Sequence, residues 1–144
     1  MRIALVQTAT GSDKMENFAH LAPLVRDAAK QGATLIVLPE ASSQAFEQGR
    51  LDTQAEELDG PFATGMRELA DELGVTIVAG MFRPADTVEH DGKTIHRVHN
   101  TALITGGGVH TGYDKIHTYD AFNYRESDTV RPGSELVTFD HQGV

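Results

Sequence analysis

The sequence contains no cysteine. The chain can therefore form no disulfide and no thiolate metal site, and nothing in it indicates an oxidising compartment. Long apolar runs are also lacking. The N-terminal run at residues 3–6 is too short for a secretory signal, and no later run approaches the length of a membrane span. The sequence predicts a cytoplasmic protein with no membrane partner.

Positive charge is scarce: 12 lysines and arginines face 21 acidic residues, which gives a net charge of −9 with neutral histidines. A protein that follows nucleic-acid phosphates would carry a basic stripe, so this balance excludes a nucleic-acid partner of that kind. Solvated surface acids account for the excess. At 144 residues, with 40% hydrophobic and 23% charged residues, the composition predicts one globular domain over residues 1–144.

Apolar periodicity divides the first 79 residues into three strands and two helices. In chain order these are a buried strand at 3–6, a helix at about 15–31, a strand at 34–38, a helix from Gly60-Pro61 to Gly74 and a strand at 75–79. Ser12 or Asp13 can cap the first helix, and Pro23 inside it predicts a kink or a later start. The order predicts an α/β arrangement with neighbouring strands parallel.

The rest of the chain has the pattern of a β-meander. Short strands are predicted at 81–83, 98–105, 109–114 and 136–139. A polar excursion at 86–93 carries the turn signal Asp91-Gly92. The glycines at 106–108 indicate a hairpin rather than a phosphate cradle, because no helix pattern follows them.

Two ionisable residues follow predicted strands. Glu40 comes directly after the strand-end sequence LIVLP, and Lys115 follows GYD. At the carboxyl end of a strand, Glu40 can be a general base or an exposed loop glutamate. Lys115 can stabilise the negative charge that develops on a carbonyl oxygen, or extend to water at a strand end. We expect the charged ends of the two to lie in one concave site, in direct contact or one water apart, where each sets the other's protonation state.

A third acid, Glu126, lies in the sequence NYRESD. It can position a substrate amine or hold Lys115 in place; alternatively, it is a surface acid paired with Arg125 or Arg131. Among the seven histidines, His96 and His99 are three residues apart. Side chains alternate faces along a strand, so these two rings should point apart, and the sequence predicts no metal site.

Taken together, these segments resemble the N-terminal half of the nitrilase, or carbon–nitrogen hydrolase, superfamily. The similarity covers nearly the whole chain, and its most specific elements are LPE at 38–40 and YDKIH at 113–117. Further matches include RIALVQ, GP at 60–61, VTIVAGMF, NTALI and RPGSE. The match around YDKIH extends through TYDAFNYRES to residue 127. Thr118 departs from the apolar residue that is usual after KIH, which affects local packing only.

The resemblance implies an α/β fold of the nitrilase type, a four-layer α-β-β-α sandwich of which this chain supplies an N-terminal portion. It implies that Glu40 is the catalytic general base, that Lys115 is the catalytic lysine and that Glu126 is a supporting or substrate-binding acid. The implied enzyme is an amidase-type hydrolase of small amide or carbamoyl compounds, with no metal or organic cofactor. It also implies a homo-oligomer, specifically a dimer.

Family members use a cysteine nucleophile on an elbow after a later strand, and this sequence contains none. The 144-residue chain is therefore predicted to be inactive alone, as a fragment of a longer hydrolase. The alternative is a non-catalytic, truncated relative that binds a small molecule or a partner. A nucleotide-binding α/β domain is disfavoured, because no Gly-rich strand-to-helix turn is present.

Overall fold

The computed structural model describes residues 1–122 and 124–144. Its helices are α1 (Lys14–Lys30) and α2 (Pro61–Leu73), with single-turn 3-10 helices at Leu51–Thr53 and Glu126–Asp128. Its strands are β1 (Ile3–Leu5), β2 (Leu35–Val37), β3 (Thr76–His90), β4 (Lys93–Gly106), β5 (Val109–Asp114), β6 (Asp120–Ala121) and β7 (Tyr124–Arg125). Neither α-helix of the described chain has the length and apolarity that a bilayer crossing requires.

The first five strands form one sheet in the order β1-β2-β3-β4-β5. β1, β2 and β3 are parallel, as predicted, and α1 and α2 are their crossover connections. The helices contact each other as well as the sheet, so both lie on one face of it. The main core fills this helix–sheet space, with fully buried Leu21 and Val25 of α1, Phe62 and Met66 of α2, and Ile36 of β2.

Helix termini follow their local signals. The Asp13 side chain caps α1 by accepting hydrogen bonds from the backbone N–H groups of Met15 and Glu16, both at 2.9 Å. Gly74 ends α2 in the left-handed conformation with φ of 64°. α1 runs without interruption from Lys14 through Pro23, so the predicted later start is wrong. Residues on both sides of Pro23 are buried against the core, and this packing offsets the missing backbone donor.

A long antiparallel hairpin replaces the strands predicted separately at 75–79 and 81–83 and the polar excursion predicted at 86–93. β3 continues from Thr76 to His90, and its pairing with β4 is interrupted only between Pro84 and Thr87. The predicted turn at Asp91-Gly92 is confirmed, but the flanking polar residues are paired strand rather than excursion. The meander is completed by β5, which pairs with β4 after the glycine turn.

Two further expectations are wrong. β1 is an edge strand rather than a buried one: Ile3 is 49% and Leu5 79% exposed, because the helices cover only the opposite face of the sheet. The strand predicted at 136–139 does not form in the described chain, where these residues have no ladder partner and Leu136 is 86% exposed. An apolar run becomes a strand only where a neighbour accepts its hydrogen bonds.

The face of the sheet away from the helices carries the loop that follows β2. Gly80 of β3 has no side chain here because the Glu40 backbone lies against it. A Cβ at Gly80 would fall 1.2 Å from the Glu40 carbonyl oxygen. The Gly80 N–H donates to Pro39 O at 3.1 Å, and Gly80 O accepts from Ser43 N–H at 3.0 Å. The loop is thereby held flat against the sheet.

Candidate active site

Three separate segments bring Glu40, Lys115 and Glu126 together. Glu40 is delivered by the turn after β2, where Pro39 fixes its own backbone angle and Gly80 permits close approach. Lys115 directly follows β5, and its N–H donates to Asn100 O of β4 at 2.8 Å. Glu126 is the first residue of a 3-10 turn, and its backbone N–H donates to Tyr119 O at 3.1 Å. Backbone hydrogen bonds therefore hold Lys115 and Glu126 directly, and they hold Glu40 through its neighbours Pro39 and Ser43.

The lysine ammonium lies between the two carboxylates. Lys115 Nζ is 3.1 Å from Glu40 Oε1, 3.2 Å from Glu126 Oε1 and 3.0 Å from Glu126 Oε2. The predicted proximity of Glu40 and Lys115 is thus confirmed as a direct contact. The two acids differ in environment, since the Glu40 side chain is 55% exposed and that of Glu126 only 3%. One acid faces the solvent and the other is part of the interior.

Glu126 is not a surface acid paired with arginine. Its carboxylate accepts hydrogen bonds from Lys115 Nζ, from Tyr119 N–H at 2.6 Å and from Asn100 Nδ2 at 3.3 Å. Burial by itself would raise the pKa of Glu126, but these hydrogen bonds and the Lys115 charge outweigh it and lower the pKa. Glu126 is therefore a buried carboxylate that stays ionised, and it anchors the lysine.

The same contacts keep the lysine protonated. Partial burial would lower the pKa of Lys115, but its hydrogen bonds to Glu126 and Glu40, with the charges of both, outweigh burial and raise the pKa. An ammonium that remains charged can act as an electrostatic donor. It is a poor general base, since it does not release its proton near neutral pH.

Asn100 of β4 is a site residue that the sequence reasoning does not single out. It is 4% exposed, and its Nδ2 donates to Glu40 Oε1 at 2.8 Å as well as to Glu126. The available signal is a polar residue within the strand sequence VHNTALI. In the sheet this residue, Asn100, pairs with Phe82 of β3. That signal is weak, because its two acidic partners lie 60 and 26 residues away.

The three ionisable groups line a concave surface site of about 340 Å³, together with Phe46, Glu47 and Tyr119. Phe46 packs edge-on against Phe82, with ring centroids 5.4 Å apart, in a small second core beneath the site. A larger neighbouring cavity of about 590 Å³ shares Phe46 and Glu47 as its wall but contains none of the three ionisable groups. The chemistry therefore belongs to the smaller cavity.

The histidines have other contacts. The ring of His96 is bonded through Nδ1 to Thr87 Oγ1 at 2.9 Å, and that of His99 to Arg131 O at 3.0 Å. Across residues 1–122 and 124–144, no group of three or more metal-ligating side chains is arranged to hold an ion. Asn123, within the segment that carries the family resemblance, lies outside the described residues.

The sequence model of the carbon-nitrogen hydrolase family matches residues 2–144. The chain belongs to this family. It is 42% identical over 148 residues to hydrolase Rv0480c of Mycobacterium tuberculosis (strain ATCC 25618 / H37Rv), covering 100% of this chain and 50% of that protein. It is 31% identical over 146 residues to omega-amidase NIT2 of Mus musculus, covering 96% of this chain and 50% of the relative. The family member described here thus spans about half the length of these curated relatives.

Solved structures of carbon-nitrogen hydrolases share its fold. XC1258 from Xanthomonas campestris, a CN-hydrolase superfamily protein, superposes with a TM-score of 0.80 at 28% identity, over 99% of this chain and 49% of that one. An amidase from Nesterenkonia sp. gives 0.70 at 23% identity, over 94% and 49%. The second similarity shows the fold alone. The predicted family resemblance and the α/β fold of the nitrilase type are confirmed.

Proposed function

We propose that residues 1–144 are the glutamate- and lysine-bearing portion of an amidase-type hydrolase. The complete enzyme would cleave non-peptide C–N bonds of a small amide or carbamoyl substrate through a thioester intermediate. The observation that carries this proposal is the contact of Lys115 Nζ with both Glu40 and Glu126 in one cavity. Similarity to an omega-amidase supports the amide class of substrate.

Each group has a role suited to its environment. Glu40, half exposed at the cavity, takes the proton of a cysteine thiol that lies outside residues 1–144. The thiolate attacks the amide carbon, and the Lys115 ammonium stabilises the resulting oxyanion, an interaction worth roughly 3 kcal/mol per donor. Glu40 returns the proton to the leaving nitrogen. It then activates the water that hydrolyses the thioester.

Glu126 serves the lysine rather than the substrate. Both of its oxygens contact Lys115 Nζ, and it is 2% exposed, so its carboxylate is already engaged by the lysine and not by a substrate amine. Its negative charge keeps the lysine protonated while Glu40 changes its own protonation state during turnover. This arrangement separates the group that transfers protons from the group that holds the cation.

The test uses the complete protein that contains this segment, assayed on small ω-amides and N-carbamoyl compounds. Glu40→Gln and Lys115→Met should each abolish turnover while the melting transition stays cooperative. Glu72→Gln is the matched control, because Glu72 forms an exposed ion pair with Arg26. Turnover by Glu40→Gln at the level of Glu72→Gln would refute the role of Glu40.

A non-catalytic binding module is the second candidate, and the absence of cysteine from the 144 residues favours it. The coding sequence after Val144 distinguishes the two. A cysteine codon shortly after a further apolar strand supports the enzyme, whereas a stop codon supports the module. For the enzyme we further propose a cytoplasmic homodimer, which sedimentation of the complete protein would test.

A further inference from the structure

We propose that Asn100 is a positioning residue that locks Glu40 and Glu126 into their reactive arrangement through a single amide nitrogen. The inference rests on the proposed function, in which Glu40 is the general base. Asn100 Nδ2 lies 2.8 Å from Glu40 Oε1 and 3.3 Å from Glu126 Oε1. The Asn100 backbone carbonyl also accepts the Lys115 N–H at 2.8 Å. Asn100 thus contacts all three site residues: the carboxylates of Glu40 and Glu126 through its side chain, and the Lys115 backbone through its own.

Strand β4 holds Asn100 rigidly. Asn100 pairs with Phe82 of β3, and Phe82 belongs to the small buried cluster with Val98 and Val130. With 4% exposure, the side chain has little freedom to turn toward water. Because loops carry Glu40 and Glu126, the strand residue between them is the fixed reference for both.

An amide suits this position for a chemical reason. Nδ2 carries two hydrogens and meets two carboxylates, so both donors are used. The two acceptors also fix the orientation of the amide, since its oxygen could donate to neither. A neutral donor stabilises ionised Glu40 and Glu126 without adding a second cation to compete with Lys115. A carboxylate at position 100 would instead repel both.

The contacts of Asn100 also select one oxygen of Glu40. Among the described residues, the hydrogen bonds of this carboxylate, from Lys115 and from Asn100, both fall on Oε1. Oε2 is left to exchange protons with the nucleophile and the leaving group. Without Asn100, Glu40 would keep one bond instead of two and could rotate about its final torsion, which exchanges the two oxygens.

The test compares Asn100→Leu and Asn100→Asp with Thr105→Val in the complete protein. Thr105 lies on the same strand, is fully buried and bonds His110 Nδ1 at 2.9 Å, so its variant loses a buried hydrogen bond remote from the carboxylates. Both Asn100 variants should lose roughly 10- to 100-fold in kcat. KM should change less than about threefold. Thr105→Val should retain the kcat of the unmodified protein.

A pH profile separates positioning from a loss of structure. Glu126 faces Lys115, the Tyr119 N–H and Asn100, and shares Lys115 with Glu40. Loss of the Asn100 donor in Asn100→Leu removes one of the bonds that lower the pKa of Glu126. Protonated Glu126 would no longer hold the Lys115 ammonium by its charge. The acid limb of kcat should therefore move to higher pH in this variant, and it should not move in Thr105→Val.

The outcomes separate the two proposals. If Asn100→Leu and Asn100→Asp retain kcat and the acid limb while Glu40→Gln is inactive, the inference about Asn100 is wrong and the proposed function stands. If Glu40→Gln turns substrate over normally, both are wrong. Asn100→Asp preserves side-chain shape, so it provides the rate comparison if Asn100→Leu shows no cooperative melt.

Discussion

Replacement of Gly80 by alanine tests whether the sheet itself positions the candidate base. The added Cβ would lie 1.2 Å from the Glu40 carbonyl oxygen and 2.0 Å from its carbonyl carbon. These are backbone atoms, so no side-chain rotation can relieve the contact. The Glu40 turn or β3 must move by about 2 Å to restore a normal separation.

Such a movement affects stability and site geometry together. Overpacking in a tight interior typically lowers the free energy of unfolding by about 1–3 kcal/mol, and a backbone obstacle favours the upper end. The hydrogen bonds that Gly80 makes with Pro39 and Ser43 would also be strained. Because Lys115 Nζ lies 3.1 Å from Glu40 Oε1, a shift of this size breaks the contact.

The measurement is urea denaturation of the complete protein with a turnover assay at a temperature where all variants are folded. Gly11→Ala is the control, since its new Cβ would lie at an ordinary 3.7 Å from Asn17 Oδ1. This control should change the free energy of unfolding by no more than about 1 kcal/mol. If Gly80→Ala matches Gly11→Ala in both assays, the close approach of Glu40 to β3 is not what positions it.

Three further predictions concern charge, activity and association. Glu126→Gln should lower the free energy of unfolding by about 1–3 kcal/mol at pH 7. Because the pKa of Glu126 is lowered from 4.5, this difference should shrink in urea titrations as the pH falls below that value, and a constant difference would contradict the argument. The isolated 144-residue chain should not hydrolyse ω-amides or N-carbamoyl compounds, and turnover above mock-purified controls would contradict this. The isolated chain should associate through its open sheet face, where Ile3 and Leu5 are exposed; a monodisperse monomer with a cooperative melt in sedimentation and thermal experiments would contradict this.

The parallel half of the fold was predictable because its signals are local. The apolar spacing in α1 and α2, the Asp13 cap and Gly74 act within a few residues of the structure they specify. The parallel pairing of β1, β2 and β3 follows from the alternation of strands and helices. The error at Pro23 arises because the prediction used local chemistry alone. A proline locally favours an interruption, and packing on either side of Pro23 overrides it.

The outer part of the β3–β4 hairpin was harder to predict from the sequence. Val88 is the single apolar residue in 86–93, so this segment lacks the alternation that distinguishes a strand from a loop. Cross-strand hydrogen bonds beyond the Asp91-Gly92 turn keep them extended. In the reverse case, residues 136–139 have the apolar pattern of a strand but no neighbour in the described chain.

In the site, the sequence predicts the contact of Glu40 with Lys115 but leaves Glu126 ambiguous. The ambiguity could not be resolved locally, because Arg125 and Arg131 both lie nearer to Glu126 in the sequence than Lys115 does. Burial decides it: at 2% exposure the carboxylate needs the partners that Lys115, Tyr119 and Asn100 provide. Such a constraint depends on the folded arrangement of segments that are far apart in sequence.

The length of the β3–β4 hairpin implies a gradient of local opening along a single element. Its base, where Ile77 pairs with Thr105, is enclosed by the core, whereas its tip at His90 and Lys93 is exposed. Amide protons should therefore exchange with solvent quickly near the tip and progressively more slowly toward Asn100. An affinity tag or fluorophore inserted at Asp91-Gly92 would occupy the fast-exchanging end. Such a tag would report on the β3–β4 hairpin without disturbing the carboxylates of Glu40 and Glu126.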